Sequence, residues 1–576
     1  MHPADWTVLS LYLAATVGVG VLLGRKVKNP SDLFAAGGAS PWWTSGLSAF
    51  MTMFSANTFV VWGGMAYEHG MVAIMVNLCY GVAALLAGYT VAGKWKELGI
   101  RTPAEFVERR FGKGVLHFYT WSMMIFRMVG AGGALYAIAT LTVTVTQGSE
   151  KVVGVGSMTP ELVTAILVFG TVVVLYTMLG GLWAVLMTDV IQFIVLNLAV
   201  LIVVALTLLD LGGLGEFVAL APDGFLSLTS GRYTWFFLFG WVAIHYFMIG
   251  AEFAFVQRYL CVPTPRDARR GTLLFGVMYL LSPFLWLLPP LLWRVQSPIP
   301  EGASDNMIRV LKEAAYLESC RHVLPIGMVG LMMAAMFSAT ASLISSQLNV
   351  FSGVLTHDIY RPLKALVTDR GLLLRGRIFT VLLGGLIIGI ALCIPMLGGA
   401  ERVIISITEL MVVPLLAPIL FGLLSRNINL AALWLAAGLG IPLGLLLHFK
   451  LITPPADSTL GQWFFDQSKT FVGVVLPLII VVIAHLRARG IDRRWGQIET
   501  LRAAEDAAEG QRSGRPDAAP VHIVGWSMII LGAGMTCLIP LNRGQGGIIL
   551  SFALPVSAIG IAMLSGSKLF QSSKKP

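Results

Sequence analysis

Long apolar runs separated by short polar segments dominate the chain. Each run is about 20 residues long, enough for a helix to cross roughly 30 Å of hydrocarbon. Because lipid offers the backbone no hydrogen-bond partners, such runs must be helices. They occupy residues 8–23, 43–68, 71–93, 116–146, 160–179, 184–208, 234–256, 272–293, 323–353, 378–397, 403–424, 430–449, 470–486, 522–540 and 546–565. This pattern predicts an all-α polytopic membrane protein with about 14–15 spans.

Polar residues inside these apolar runs are the first candidates for function, since each is costly in a membrane. Ser342, Ser345 and Ser346 stand at i, i+3 and i+4, so one face of one helical turn carries three hydroxyls. Each hydroxyl could instead bond a carbonyl of its own helix or join neighbouring helices. Asp189 adds a carboxylate, although it could also simply begin a helix. Hydroxyl, carbonyl and carboxylate oxygens are typical ligands of hard cations.

Two further runs contain unusual polar groups. Residues 43–68 gather poor helix formers around Asn57 and Thr58, which predicts a break in that helix. Carbonyls freed at such a break bind ions in transporters. The run at 234–256 contains Glu252, for which a structural role near Arg258 and a solute or proton site are both open.

Composition and charge placement narrow the class of protein. Only 12% of residues are charged, against about 25% in soluble proteins. Alternate loops contain about 29 of the 40 Lys and Arg residues, which predicts an external N-terminus and a cytoplasmic C-terminus. This bias explains the net charge of +10 without a nucleic-acid partner. The loop at 487–521 is interpreted as a solvated, partly flexible connector.

Five short motifs, taken in order, resemble the sodium/solute symporter family, which includes sodium-coupled glucose, proline and sialic acid carriers. The resemblance covers roughly residues 5–450. The motifs are Leu47-Ser48-Ala49 with Ser55; Arg101-Thr102-Pro103-Ala104-Glu105-Phe106 before Arg110-Phe111-Gly112; Gly180-Gly181-Leu182-Trp183-Ala184 with Thr188-Asp189-Val190-Ile191-Gln192; Val256-Gln257-Arg258-Tyr259-Leu260; and Ser345-Ser346-Gln347-Leu348 running to Asp358-Ile359-Tyr360.

The resemblance implies a LeuT-type fold, in which two inverted repeats of five helices form the core. A leader helix and a cytoplasmic loop would occupy residues 1–41. The first repeat would then span 42–209 and the second 234–425, with an external loop at 210–233 between them. Further membrane helices would fill 426–576, together with the cytoplasmic loop at 487–521.

The resemblance also implies two places where sodium, as the coupling ion, would bind. The usual family site corresponds to the carbonyls of Met51, Phe54 and Ala339 and the hydroxyl of Ser342. A second adjacent hydroxyl is usual in the family, but this sequence has Leu343 there, which weakens or removes that site. An additional site known in some relatives corresponds to Ser342, Ser345, Ser346 and Asp189, all of which are present.

Solute contacts implied by the resemblance are Met53, Asn57, Thr58 and Glu252. An acidic group at Glu252 suits a cationic, amine-bearing or hydroxyl-rich solute, or a proton, and speaks against a simple monocarboxylate.

The resulting prediction is a monomeric plasma-membrane transporter that couples a small polar organic solute to a cation, preferably sodium, by alternating access. Its partners would be the solute and the lipid bilayer. Proton coupling, an uncoupled facilitator, and a solute-sensing transceptor acting through 487–521 remain alternatives. An enzyme is not expected, because the sequence has no nucleophile–base pair, phosphate loop or metal-ligand spacing.

Overall fold

The structure is a computed structural model that describes residues 2–24, 40–100, 102–147, 159–231, 233–363, 368–397, 400–448, 451, 467–468, 470–488, 490–509, 519–542 and 544–572. This part of the chain is almost entirely helical. Its only β-type pairing is an isolated antiparallel bridge between Ser230 and Tyr233. The predicted loop at 25–41 lies mostly outside the described residues, as does the centre of the loop at 487–521.

The α-helices are numbered in chain order. They are α1 Pro3–Gly24, α2 Trp42–Met53, α3 Gly63–His69, α4 Val72–Ala87, α5 Gly93–Lys96, α6 Pro103–Phe111, α7 Lys113–Gln147, α8 Pro160–Leu211, α9 Leu214–Leu220, α10 Trp235–Ala251, α11 Phe253–Leu260, α12 Pro265–Trp286, α13 Leu288–Gln296, α14 Asp305–Val323, α15 Met328–Val354, α16 Arg361–Leu363, α17 Asp369–Cys393, α18 Ala400–Leu424, α19 Leu430–His448, α20 Leu476–Arg487, α21 Trp495–Glu509, α22 Ala519–Thr536 and α23 Gly546–Ser572. Single π-helical turns occupy Thr58–Trp62, Gly88–Ala92, Leu355–Tyr360 and Phe471–Val475. Short 3₁₀ turns occupy Ile394–Leu397 and Ile539–Leu541.

Every predicted apolar run coincides with a helix, which confirms the all-α polytopic fold. Among the described residues, ten helices are long and apolar enough to cross a membrane, or eleven with the bent pair of α10 and α11. The other four runs are also helical: α1, the broken stretch from α2 to α3, α18 and the stretch Phe471–Arg487. The predicted count of about 14–15 spans therefore requires that these four helical runs also cross the membrane.

The predicted break in the first core helix is present. α2 ends at Met53, and Phe54 adopts an extended conformation with φ −91° and ψ 137°. Helix resumes at Ala56, whose backbone N–H donates to the Thr340 hydroxyl at 2.8 Å. A side chain of α15 thus supplies a partner at a helix start that would otherwise leave an N–H unpaired inside the protein.

A second break lies between α10 and α11. Glu252 is extended, with φ −71° and ψ 139°, and the two helices meet at a bend of 50°. This break was not predicted, because a single glycine, Gly250, in an otherwise apolar run is no distinct sign of an interruption. Broken helices of this kind form binding sites near the midplane of transporters.

The leader helix α1 is attached to the start of α15 rather than standing apart from the core. Asp5 Oδ1 accepts hydrogen bonds from the backbone N–H groups of Gly327 at 2.8 Å and Gly330 at 3.0 Å. A carboxylate suits this position because a helix N-terminus presents unpaired N–H groups and a partial positive charge. α1 therefore stabilises the helix that contains the three candidate serines.

The segment after α20 is partly helical and contacts the core. It contains helix α21, and Asp492 just before that helix lies 2.8 Å from Arg110 Nη1. The buried Arg110 also donates to the carbonyls of Gly422 and Ile428. A buried arginine thus joins the start of this segment to α6 and α18, and the partial flexibility of the connector stays a prediction. Residues 510–518 lie outside the described residues.

Candidate functional site

Four helices bring a buried polar cluster together: α2, α8, α11 and α15. The Ser48 hydroxyl donates to Asp189 Oδ2 at 2.5 Å and lies 3.3 Å from Arg258 Nε, which donates to it. Arg258 Nη2 donates to the Ser346 hydroxyl at 2.5 Å, and Thr52 lies 3.4 Å from the same hydroxyl. All five side chains are buried. The carboxylate and the guanidinium thus face each other through hydroxyl groups.

The three serines of α15 have different surroundings although they share one face. Ser345 donates to the carbonyl of Ser342 in its own helix at 3.1 Å, which is the ordinary alternative for such a residue. Ser346 is bound by Arg258. Ser342 lies beside Asp189, yet its hydroxyl and Asp189 Oδ1 have no hydrogen-bond partner among the described residues. Two buried oxygen atoms are therefore available to a cation.

The residues matching the usual family sodium site lie at the end of α2 and on α15, two helices that pack together. Met51, Phe54, Ala339 and Ser342 are all fully buried. Leu343, which stands in place of the usual second hydroxyl, lines a cavity that includes neither Ser342 nor Asp189. The available oxygens therefore lie on the side of α15 that faces Asp189. Within the described part of the chain, no group of three His, Cys, Asp or Glu residues forms a denser metal site.

The cavity beside Leu343 has a volume of about 110 Å³ and lies between the two helix breaks. Met53, Asn57 and Thr58, three of the four expected solute contacts, line it. The other lining residues are Ser55, Trp62, Tyr80, Phe126, Arg127, Val129, Gly130, Ala131, Trp241, His245, Met248, Leu343, Gln347 and Thr408. Aromatic walls with a few polar groups are typical of sites for small organic molecules.

Several polar atoms around this cavity are buried without a hydrogen-bond partner among the described residues. They are Asn57 Oδ1, Arg127 Nε and Nη2, Trp241 Nε1, and both amide atoms of Gln347. Unpaired buried polar atoms cost about 1–3 kcal/mol each. Several of them around one cavity indicate a place where a polar ligand supplies the missing partners.

Glu252 is not among the described residues that line the cavity. It is fully buried, and its Oε2 lies 3.0 Å from Arg127 Nη2. This pair has the distance of a salt bridge, although neither atom meets hydrogen-bond geometry. Arg127 lines the cavity, so the charged group offered to a solute is a guanidinium. The argument from an acidic cavity, and hence against a carboxylate solute, is therefore not supported by this geometry.

Arg127 was not predicted from the sequence, and Arg258 was noted only as a neighbour of Glu252 and as part of a family motif. Both are charged residues inside apolar runs, and an ionisable residue there indicates function by itself. The same rule that singles out Asp189 and Glu252 therefore also singles out Arg127 and Arg258. Trp241 and Gln347 gave less indication, because aromatic and amide side chains are common in membrane helices.

Comparison with known proteins gives consistent findings. A family model described as the sodium:solute symporter family matches residues 33–436. A sodium/sialic acid symporter of Aliivibrio fischeri is 25% identical over 505 residues, covering 84% of this chain and 92% of that protein. A sodium/glucose cotransporter of Vibrio parahaemolyticus is 28% identical over 540 residues, covering 88% and 96%.

Among solved structures, a substrate-bound, outward-open Na⁺-coupled sialic acid symporter is similar to this chain, with a TM-score of 0.68. The sequence identity is 21%, and the likeness covers 85% of this chain and 99% of that one. At this identity the likeness shows the shared fold.

Proposed function

Since the chain belongs to the sodium:solute symporter family, we propose that the solute it carries is a small organic molecule with an acidic group. The chain is a multi-pass membrane transporter and not an enzyme. The relatives' solutes include sialic acid and glucose, so charged and neutral solutes both occur among them. The cavity favours a negatively charged solute.

Arg127 is the observation behind this proposal. Its Nε and Nη2 are buried at the cavity without hydrogen-bond partners, apart from the ion pair with Glu252. A planar guanidinium binds a carboxylate through two parallel hydrogen bonds. Asn57, Trp241 and Gln347 add groups that can bond hydroxyls or amides of the solute. Tyr80 and Trp62 provide apolar surface for a carbon skeleton.

The proposed cation site consists of Asp189 Oδ1 and the Ser342 hydroxyl, with Ser346 as the next ligand. Their oxygens fit a hard cation such as sodium. Arg258 already donates to Ser346 and faces Asp189 through Ser48. A guanidinium in this place competes with a mobile cation for the same oxygens. Sodium binding would therefore require Arg258 to withdraw from Ser346.

The finer topology also belongs to this proposal. The N-terminus would lie outside the plasma membrane and the C-terminus in the cytoplasm, as the placement of Lys and Arg favours. Two inverted repeats at 42–209 and 234–425 would form a monomer. Single cysteines introduced at Asp223 and Arg493 in a cysteine-free background test the orientation. An impermeant maleimide should label only the first in intact cells, and the reverse result would invert the topology.

Uptake into proteoliposomes tests the coupling ion. The reconstituted protein would be given an inward sodium gradient, an inward proton gradient, or neither, with the same labelled solute. Uptake above equilibrium under the sodium gradient alone is expected. Accumulation under the proton gradient alone would assign proton coupling, and equal uptake in all three would indicate a facilitator. Binding without flux would indicate a sensor.

Paired ligands test the solute class. Sialic acid and its methyl ester differ by one negative charge, as glucuronate and glucose do, and each can be screened by the shift in melting temperature in sodium. Acids should stabilise the protein and their neutral partners should not, because Arg127 pairs only with the charged group. A ligand at a hundred times its Kd adds about 2.7 kcal/mol. Equal shifts within both pairs would refute the acidic class.

A further inference from the structure

A second cavity lies at the side of the molecule, between the leader helix α1, the second half of α8, and the C-terminal helix α22. Its volume is about 400 Å³, within the range of roughly 300–1,000 Å³ typical of small-molecule sites. Its walls include Leu11 and Tyr12 of α1, Thr188 and Gln192 of α8, and Ile530 and Gly534 of α22. It shares no lining residue with the solute cavity.

Gln192 gives this cavity a specific polar feature. The side chain is 1% exposed, and both its Oε1 and Nε2 lack hydrogen-bond partners among the described residues. An amide of this kind both donates and accepts, and leaving it unpaired costs free energy. A ligand with one uncharged hydrogen-bonding group would satisfy it.

The other walls of the cavity exclude charged ligands. None of the described residues that line it has a carboxylate, ammonium, guanidinium or imidazole group, and the aliphatic side chains among them lie on all three helices. A charged head group would therefore be buried without a counter-ion, which is strongly unfavourable. Burial of an aliphatic chain or ring in the same cavity is favourable.

Access to the cavity is from the lipid-facing side. Leu11 and Ile530 belong to its lining and are 66% and 67% exposed. Exposed aliphatic residues on membrane helices contact lipid in the bilayer. A molecule dissolved in the hydrocarbon can thus enter without crossing water.

The cavity also lies next to the polar cluster. Thr188 and Gln192 of its wall flank Asp189 on α8, and the Ser338 hydroxyl on α15 donates to Tyr12 Oη at 2.6 Å. The ligand would therefore contact α8, which holds Asp189, directly, and would reach α15 only through Tyr12.

We propose that this cavity binds an uncharged amphiphile from the bilayer, a molecule with an aliphatic body and a single hydroxyl or amide that pairs with Gln192. The site is separate from the solute pathway and does not depend on which solute is carried. Gln192 is its specificity-determining residue.

Photolabelling of the full-length protein in proteoliposomes tests the proposal. The probe is an octanol with a diazirine in its chain, and labelled residues are mapped by mass spectrometry. Labelling is expected on α1 and α22 around Leu11 and Ile530. Excess 1-octanol should compete at least about ten times better than n-octane, a difference of about 1.4 kcal/mol for one hydrogen bond. Gln192→Leu should remove this preference.

Filling the cavity provides a second test that does not depend on Gln192. Gly534 lines the cavity and a Cβ there meets open space, so Gly534→Leu adds side-chain volume at the cavity wall. This variant should lose labelling, whereas Gly385→Leu, which also meets open space but lies outside the cavity, should keep it. Labelling confined to other helices, octane competing as well as octanol in the wild type, or an unchanged preference for octanol in Gln192→Leu would each overturn the proposal.

Discussion

Arg258 distinguishes the polar cluster of this protein from a simple cation site. It is 1% exposed and donates to Ser48, Ser346 and the Ala254 carbonyl. Burying a charge is tolerated only when it is paired and hydrogen-bonded. Arg258 and Asp189 satisfy this condition for each other through the intervening Ser48. Without a bound ion, this arrangement balances the two buried charges.

At the residue scale, Asp189→Asn should raise the sodium concentration that gives half-maximal uptake by at least about tenfold. The amide keeps the shape but loses the charge that attracts the cation, and 1.4 kcal/mol corresponds to a factor of ten. Sodium titration of uptake in proteoliposomes measures this. Ser345→Ala is the control, because the Ser345 hydroxyl bonds its own helix. An unchanged sodium requirement in Asp189→Asn would remove Asp189 from the site.

Replacing Arg258 should have the opposite effect on sodium affinity. In Arg258→Gln, Asp189 loses its neighbouring charge and Ser346 is released, so sodium should bind more tightly. The variant should be less stable than the wild type without sodium, since a buried carboxylate is left uncompensated, which costs about 3–5 kcal/mol. Thermal unfolding with and without sodium should therefore show a larger sodium-dependent increase than in the wild type. An equal increase in both proteins would contradict competition between Arg258 and the ion.

The sequence alone located the serines and Asp189 but not how they differ. Ser342, Ser345 and Ser346 look alike at i, i+3 and i+4. Which hydroxyl is unpaired depends on Arg258, which approaches from 88 positions away along the chain. For the same reason Glu252 was interpreted as a solute contact. In the structure Glu252 pairs with Arg127 of another helix, and it is Arg127 that lines the cavity. Pairings across helices are not visible in local patterns.

At the scale of elements, the packing of α1 on α15 depends on a glycine. A Cβ at Gly330 would lie 2.1 Å from the Asp5 carbonyl oxygen, closer than atoms can approach. Gly330→Ala should push α1 away and weaken the hydrogen bonds of Asp5 to the start of α15. We expect a loss of about 1–3 kcal/mol in unfolding free energy, measured by thermal or denaturant unfolding in detergent.

The matched control for this prediction is Gly385→Ala, since a Cβ there meets open space within a membrane helix. It should leave the unfolding free energy within about 0.5 kcal/mol of the wild type or raise it slightly. If both substitutions lowered the unfolding free energy equally, the cause would be the replacement of a helix glycine in general, and not the contact between Gly330 and Asp5.

The sequence predicts the helices better than it predicts the positions where they are interrupted. Apolar runs located every membrane helix, and poor helix formers around Asn57 predicted the first break. The break at Glu252 and the reversal at Gly181, with φ 58° and ψ −156°, were not predicted. Gly181 adopts a conformation that favours glycine. The pair Gly180-Gly181 was the only indication in the sequence that the helix is interrupted there. The motif containing both was used only as a mark of resemblance.

At the scale of the whole molecule, Arg110 ties the C-terminal region to the core. Burial lowers the pKa of its guanidinium while Asp492 raises it, and the ion pair joins α6 to the segment before α21. Asp492→Ala should cost about 1–3 kcal/mol, since a buried cation loses a charged partner. Limited proteolysis should then cut near α21 sooner. Asp223→Ala, at an exposed position between α9 and α10, is the control and should leave the cleavage rate unchanged.

The pairing of Arg258 with Asp189 has a consequence for the electrical behaviour of transport. With no ion bound, this carboxylate and guanidinium sum to zero charge, whereas sodium makes the site positive. Moving one charge across a membrane involves about 2.3 kcal/mol per 100 mV. Sodium binding within the membrane field should therefore move charge, whereas the crossing of the protein loaded with one sodium ion and one acidic solute, and the return of the empty protein, should both be electrically silent. Current recordings on solid-supported membranes should show charge movement only when sodium is present, and Arg258→Gln should make the empty return voltage-sensitive.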